Sequence, residues 1–309
     1  MPGAVITQWT GAVDGDYSNN SNWTNDVPTT NNTADVYFTT GSVDCNENLP
    51  VRADEVEYLQ LTIGPKYTGT IGSSTVPLEL YDGLNGGVVD VFYGQKTGQV
   101  FLYANITGDL VVESTSTSNP SLAIVASAAG SVSSIKITGE TYITGGNGTV
   151  LFEKLVLSGD VYMVDCKGVT LEVGEDCVIA TTDFFVGEGR LLLNSLATSG
   201  GITITDGLVE ILGSGSVNLD SLTMYGGTVK WKLTPSSSVN IITLLTMYGG
   251  FFDARGATAP SMTITDTTIY KGAIIDERNG LSNITYTNSI VTHGGVIMCD
   301  PFRTIEVNP

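Results

Sequence analysis

The 309-residue chain carries 13 Lys+Arg against 32 Asp+Glu, a formal net charge of −19 with a pI near 4.1. That balance repels phosphate backbones and anionic lipid, which argues against binding nucleic acid or a membrane surface. Hydrophobic residues make up 41% and charged ones only 15%, so wholesale disorder is excluded, and the near absence of Lys/Glu-rich helical patterning excludes a helical bundle or coiled coil.

The opening residues, MPGAVITQWTGAVDGDY, lack a basic stretch leading into a long apolar run. Neither a secretion signal nor a membrane-spanning segment is therefore expected. Residues 1–50 differ in composition from the rest of the chain and contain Trp9-Thr10-Gly11, Gly15-Asp16-Tyr17-Ser18, Asn22-Trp23, Val27-Pro28 and Asp35-Val36-Tyr37-Phe38. The pattern W-x-G, D-[WY]-[ST], N-W, V-P, D-x-[VY]-x-[FI] resembles the opening module of many β-helical surface and virion proteins. Bacterial autotransporter-like adhesins and bacteriophage particle proteins are among them. The resemblance spans only residues 9–38. It implies an N-terminal cap or attachment segment whose two tryptophans pack over a first coil, with the Pro turn delivering the chain into the first strand. With no secretion signal and no C-terminal membrane barrel expected, the phage type is the closer match.

Residues 51–80, with Leu59-Gln60-Leu61-Thr62-Ile63-Gly64, read as an irregular first coil. Tyr81–Gly87 is a turn cluster, and Ser114–Ser118 with Asn119-Pro120 reads as a protruding loop. Over 81–300 the chain repeats itself. Ser221-Leu222-Thr223-Met224-Tyr225-Gly226-Gly227 returns as Leu244-Leu245-Thr246-Met247-Tyr248-Gly249-Gly250. Degenerate copies continue in phase at Thr268-Ile269-Tyr270-Lys271-Gly272 and Val291-Thr292-His293-Gly294-Gly295. Each unit holds short runs of Ile, Val, Leu and Thr, alternating apolar with small polar residues, between corners rich in Gly, Asn, Asp and Ser. A period of 20 to 23 residues leaves no room for a crossover helix. A coil of this kind buries its apolar face only when others lie above and below it. The predicted fold is all-β: a single-stranded parallel β-helix, right-handed and three-sided, of about ten coils. Residues 301–309 are expected to cap its end.

The sharpest candidate chemistry is a column of charge in the last coils: Asp253-Ala254-Arg255, Asp276-Glu277-Arg278 and Asp300-Pro301-Phe302-Arg303. Stacked at one corner, Asp253, Asp276 and Asp300 would suit the acid and nucleophile of a retaining glycosidase. The simpler reading is an Asp–Arg ladder in which each carboxylate meets its own or a neighbouring coil's Arg. Asp14-Gly15-Asp16 with Asn19, Asn20 and Asn22 offers oxygens to Ca²⁺ without EF-hand spacing, and a solvated turn explains it as well. The column Tyr225, Tyr248, Tyr270, His293 is read as core or corner packing, or, if exposed, as a subunit interface or glycan-binding stripe. No cofactor or metal is expected.

The four cysteines, Cys45, Cys166, Cys177 and Cys299, form no CxxC pair. A Cys166–Cys177 disulfide is open in principle, but buried free thiols suit a protein made in a reducing cytoplasm better. The leading functional expectation is a non-enzymatic bacteriophage virion protein (capsid decoration, head fibre or spike), assembled in the host cytoplasm and displayed on the particle surface. Its expected partners are the major capsid or portal and tail proteins and further copies of itself, as a trimer. The alternatives are a tailspike or glycan-binding depolymerase acting on a host-surface glycan through the acidic corner, and a bacterial adhesin.

Overall fold

Along Gly201–Ile204, Ile202 and Ile204 are buried while Thr203 between them is half-exposed. This period of two, repeated from strand to strand, makes every short run a ribbon with one dry and one wet face. The computed structural model describes residues 5–28, 34–51, 56–80, 87–95, 97–113, 122–124, 135–174, 177–180, 182–194, 200–213, 217–233, 240–255, 261–278 and 283–299. Among them the fold is all-β, a parallel β-solenoid of about nine turns with a Trp-containing N-terminal cap and no α-helix. The Ser114–Pro120 loop and the 301–309 cap lie outside the described residues. Two units divide the chain, Met1–Gly159 with Gly168–Leu171, and Asp160–Lys167 with Glu172–Pro309.

In the N-terminal unit one sheet runs through Val5–Gln8, Ala34–Gly41, Glu57–Tyr67, Gly87–Tyr93, Leu110–Glu113 and Thr141–Thr144, each parallel to the next. A second runs through Leu78–Leu80, Val100–Ala104, Leu122–Ile124 and Asn147–Phe152. A short third side pairs Ile135–Ile137 with Leu155–Leu157. The winding therefore begins inside the segment read from sequence as a cap, and Glu57–Tyr67 joins the first sheet with register irregularities against Ala34–Gly41. The capping itself is aromatic. Trp23 meets Trp9, Tyr17 and Phe38 at ring distances of 5.2, 5.1 and 5.8 Å. The Trp23 indole N–H donates to the Tyr17 carbonyl at 2.8 Å. Asn22, fully buried, donates to Asp14 Oδ1 and the Asp16 carbonyl and accepts from the backbone of Val13, which closes the loop between the tryptophans.

The C-terminal unit repeats the plan more regularly. Its first sheet runs through Val161–Met163, Phe184–Val186, Gly201–Ile204, Asn218–Met224, Asn240–Met247, Ser261–Tyr270 and Asn283–His293. Its second runs through Arg190–Leu193, Leu208–Gly213, Thr228–Leu233, Phe251–Asp253, Ile274–Asp276 and Val296–Met298. Inward positions form apolar columns: Ile202, Leu222 and Leu245 in one sheet, Val209, Val229, Phe252 and Ile275 in the other, all buried. The second glycine of the repeated Tyr-Gly-Gly sits at φ 67° in Gly227 and 83° in Gly250, a left-handed corner that L side chains resist. That requirement fixes where the chain leaves one sheet for the next.

Candidate functional site

The acidic corner lies on the outward side of the second sheet in the C-terminal unit. Asp253 and Asp276 are register partners in adjacent strands. Each is gripped by the Arg two residues ahead. Arg255 donates from Nε and Nη2 to the two oxygens of Asp253 at 2.9 Å each, and Arg278 does the same to Asp276 at 2.9 and 2.8 Å. Arg255 also lies 3.5 Å from Asp276. Hydrogen bonds from Arg255 hold Asp253 below the usual carboxylate range, and hydrogen bonds from Arg278 do the same for Asp276, in both cases against the opposing push of burial. A glycosidase general acid needs the reverse, a carboxyl raised so that it keeps its proton. The geometry is the Asp–Arg ladder. Asp300 lies outside the described residues.

The aromatic column is a stack on the outside of the first sheet. Tyr225, Tyr248, Tyr270 and His293 succeed one another at ring distances of 4.9, 4.7 and 4.8 Å, with interplanar angles of 8°, 12° and 21°. These distances match the spacing of hydrogen-bonded strands, so each ring lies directly over the ring of the next coil. Tyr225 is 56% exposed and Tyr248 45%, which places the column at a wet corner and outside the core. Both faces of Tyr248 and Tyr270 are covered by their neighbours. A sugar ring that stacks on aromatic faces would find only the edges and hydroxyls of these two tyrosines.

The surroundings of the column are as informative as the rings. Two residues back, Thr223, Thr246, Thr268 and Val291 form a parallel outward column, and beyond it come Ser221, Leu244, Asp266 and Ser289. Across these three columns Asp266 is the single carboxylate, and it accepts hydrogen bonds from Asn288 and Ser289 at 2.7 Å. In a chain with a net charge of −19, these three columns carry a single carboxylate over four coils, with exposed Asp220 and Lys271 at their borders. The corresponding position in earlier strands is acidic. Asp90 accepts from the backbone N–H of Asp109 in one unit, and Asp183 accepts from that of Gly201 in the other.

One constellation escaped the sequence reading. Glu210, on the outward side of the second sheet, is 3% exposed and surrounded by cations. Arg190 bonds its Oε2 through Nε at 2.7 Å and through Nη2, Lys232 Nζ bonds its Oε1 at 2.8 Å, and Lys230 Nζ lies 3.8 Å away. Burial alone would push this carboxyl up, but Lys232 and Arg190 together hold it below its ordinary range. The signal was present as Arg190, Glu210 and Lys232, separated by about one coil each, but no verbatim repeat drew attention to it.

The remaining candidates resolve into structure. Asp14 and Asp16 are engaged in Asx turns with the backbone N–H groups of Asp16 and Ser18, and Asn19 caps a single turn of 3-10 helix at Asn20–Asn22. Among the described residues no group of His, Cys, Asp and Glu could hold a metal ion, and no helix is long and apolar enough to cross a membrane. None of the four cysteines is in a disulfide, and Cys45, Cys166 and Cys177 are buried. Burial pushes the Cys166 thiol up to about 11. No family model matches the chain, and neither a curated protein nor a solved structure matches it.

Proposed function

We propose that the chain is a non-catalytic structural protein of a bacteriophage particle, a capsid decoration, head fibre or spike, that assembles with copies of itself through the Tyr225–His293 face. The observation that carries this reading is the charge-poor, tyrosine-lined face of the C-terminal unit. Copies at −19 repel one another wherever acidic surfaces meet, and a specific contact requires a face where that repulsion is absent. Interface cores are depleted in charge and enriched in tyrosine, as this face is. A symmetric trimer is the proposed assembly, with the virion as its location and capsid, portal or tail proteins as further partners. The resemblance of residues 9–38 to the opening module of β-helical particle proteins supports the phage assignment. The arginines bound to Asp253 and Asp276 favour this reading over the depolymerase alternative.

Sedimentation of the purified chain at physiological ionic strength tests the assembly. The expected result is a trimer that Tyr248→Glu converts to a monomer without lowering the thermal midpoint by more than a few degrees. A wild-type monomer at all concentrations overturns it. Antibody labelling of purified particles tests the location, and particles lacking the chain would refute it.

A further inference from the structure

We propose that Glu210 and the three cations around it form a binding site for a compact oxyanion: a sulfate, a phosphate or the carboxylate of a small sugar acid. The site is independent of the assembly face, since it lies on the second sheet and the tyrosines on the first. A single buried carboxylate needs one well-placed cation to be stabilised, and each further cation adds repulsion. Here three gather on one. Arg190, Lys230 and Lys232 against Glu210 leave an excess of two positive charges among these four residues, in a chain whose total is −19. Asp253, the register partner of Lys230 in the next strand, is already matched by Arg255. The carboxylate side chain is 5% exposed, while the three cationic side chains are 46%, 34% and 45% exposed. The acid lies beneath as an organiser, and the cations stand over it facing water.

Donor capacity remains after Glu210 is served. Arg190 uses Nε and Nη2 on Oε2, and a guanidinium has five N–H groups in a fixed fork. Lys232 gives Glu210 one bond of the three an ammonium can make, and Lys230, at 3.8 Å, lies beyond hydrogen-bond reach. An oxyanion bridging Arg190 and the two lysines would relieve their mutual repulsion and receive charge-assisted hydrogen bonds from all three. The strong negative charge elsewhere selects for compactness. A single anionic group lies within a Debye length of the +2 cluster, roughly 8 Å at physiological salt, whereas an extended polyanion would run on over acidic surface.

The test is thermal unfolding of the full-length chain in millimolar sodium sulfate, with ionic strength held constant by sodium chloride, repeated with inorganic phosphate and with glucuronate to separate the sources. The wild type is expected to show a saturable rise in midpoint, as for any ligand bound only by the native state. Lys230→Gln, which removes only the 3.8 Å contact and so leaves the fold intact, should weaken apparent affinity about threefold, and Lys232→Gln about tenfold. Lys136→Gln, an exposed lysine of the other unit, should change nothing. A wild-type midpoint that does not saturate overturns the proposal. So does a saturable rise that both Lys230→Gln and Lys232→Gln leave intact, or binding of duplex DNA without binding of sulfate.

Discussion

Asp253 and Asp276 sit opposite each other in adjacent parallel strands, and Arg255 reaches both, at 2.9 Å and 3.5 Å. Two like charges at coil spacing are tolerable only because each is matched by a guanidinium. Both carboxyls have folded-state pKa values below the unfolded value of about 3.9. Their contribution is therefore complete above that value and is lost as pH falls through the folded values. Denaturation midpoints measured between neutral pH and about pH 3 should fall less steeply for the Asp253→Asn, Asp276→Asn double variant than for the wild type. Parallel curves would count against the ladder as a source of acid sensitivity.

Thr267 occupies an inward position between Leu245 and Ile290 in register, fully buried, and its hydroxyl has no hydrogen-bond partner among the described residues. Thr141 in the other unit is in the same position relative to Leu110. An unpaired buried hydroxyl costs about 1–3 kcal/mol, and valine has nearly the same shape. Thr267→Val and Thr141→Val should each stabilise the chain by about 1 kcal/mol in urea melts, and a loss of stability in both would show that the hydroxyls are satisfied in solution.

The corner glycines Gly139 and Gly159 lie against the coil before them. A Cβ on Gly139 would collide with the Gly108 carbonyl, and one on Gly159 with the Gly139 carbonyl, whereas Gly146 has open space around it. Backbone cannot yield as a flexible side chain does, so Gly139→Ala should cost about 2 kcal/mol or more. Gly146→Ala should be close to neutral. Equal midpoints for the two variants would contradict the close approach of coils at this corner.

Thiol accessibility provides a rapid check on the core. Cys45, Cys166 and Cys177 are buried, Cys299 is half-buried, and burial pushes both Cys45 and Cys166 above the ordinary thiol range. With the thiolate scarce and shielded, a disulfide reagent at neutral pH should modify Cys299 first and the other three only on unfolding. Rapid labelling of Cys166 in the native chain would contradict its position.

The solenoid was legible because two of its coils repeat almost verbatim, and Tyr225, Tyr248, Tyr270 and His293 could be aligned without knowing a single contact. The Asp–Arg pairs were legible for the same reason. What sequence spacing did not reveal was that Val5–Gln8 already belongs to the first sheet. Its partner Ala34–Gly41 lies across a long excursion that breaks the period. Nor did spacing separate exposed tyrosines from buried ones, since a corner residue before glycine serves either role. Glu210 was hidden because a lone Glu in an apolar run looks solvent-facing until Arg190 and Lys232 are brought from the flanking coils to cover it.

The step between Tyr225 and Tyr248 also sets the grain in which this molecule can change length. Excising one complete 23-residue period in that stretch would rejoin like to like, leaving interior and exterior where they were. Removing an odd handful of residues inside a strand would turn its apolar side to water. Growth and shortening by whole windings is thus the route open to such a chain, with reach adjusted one storey at a time.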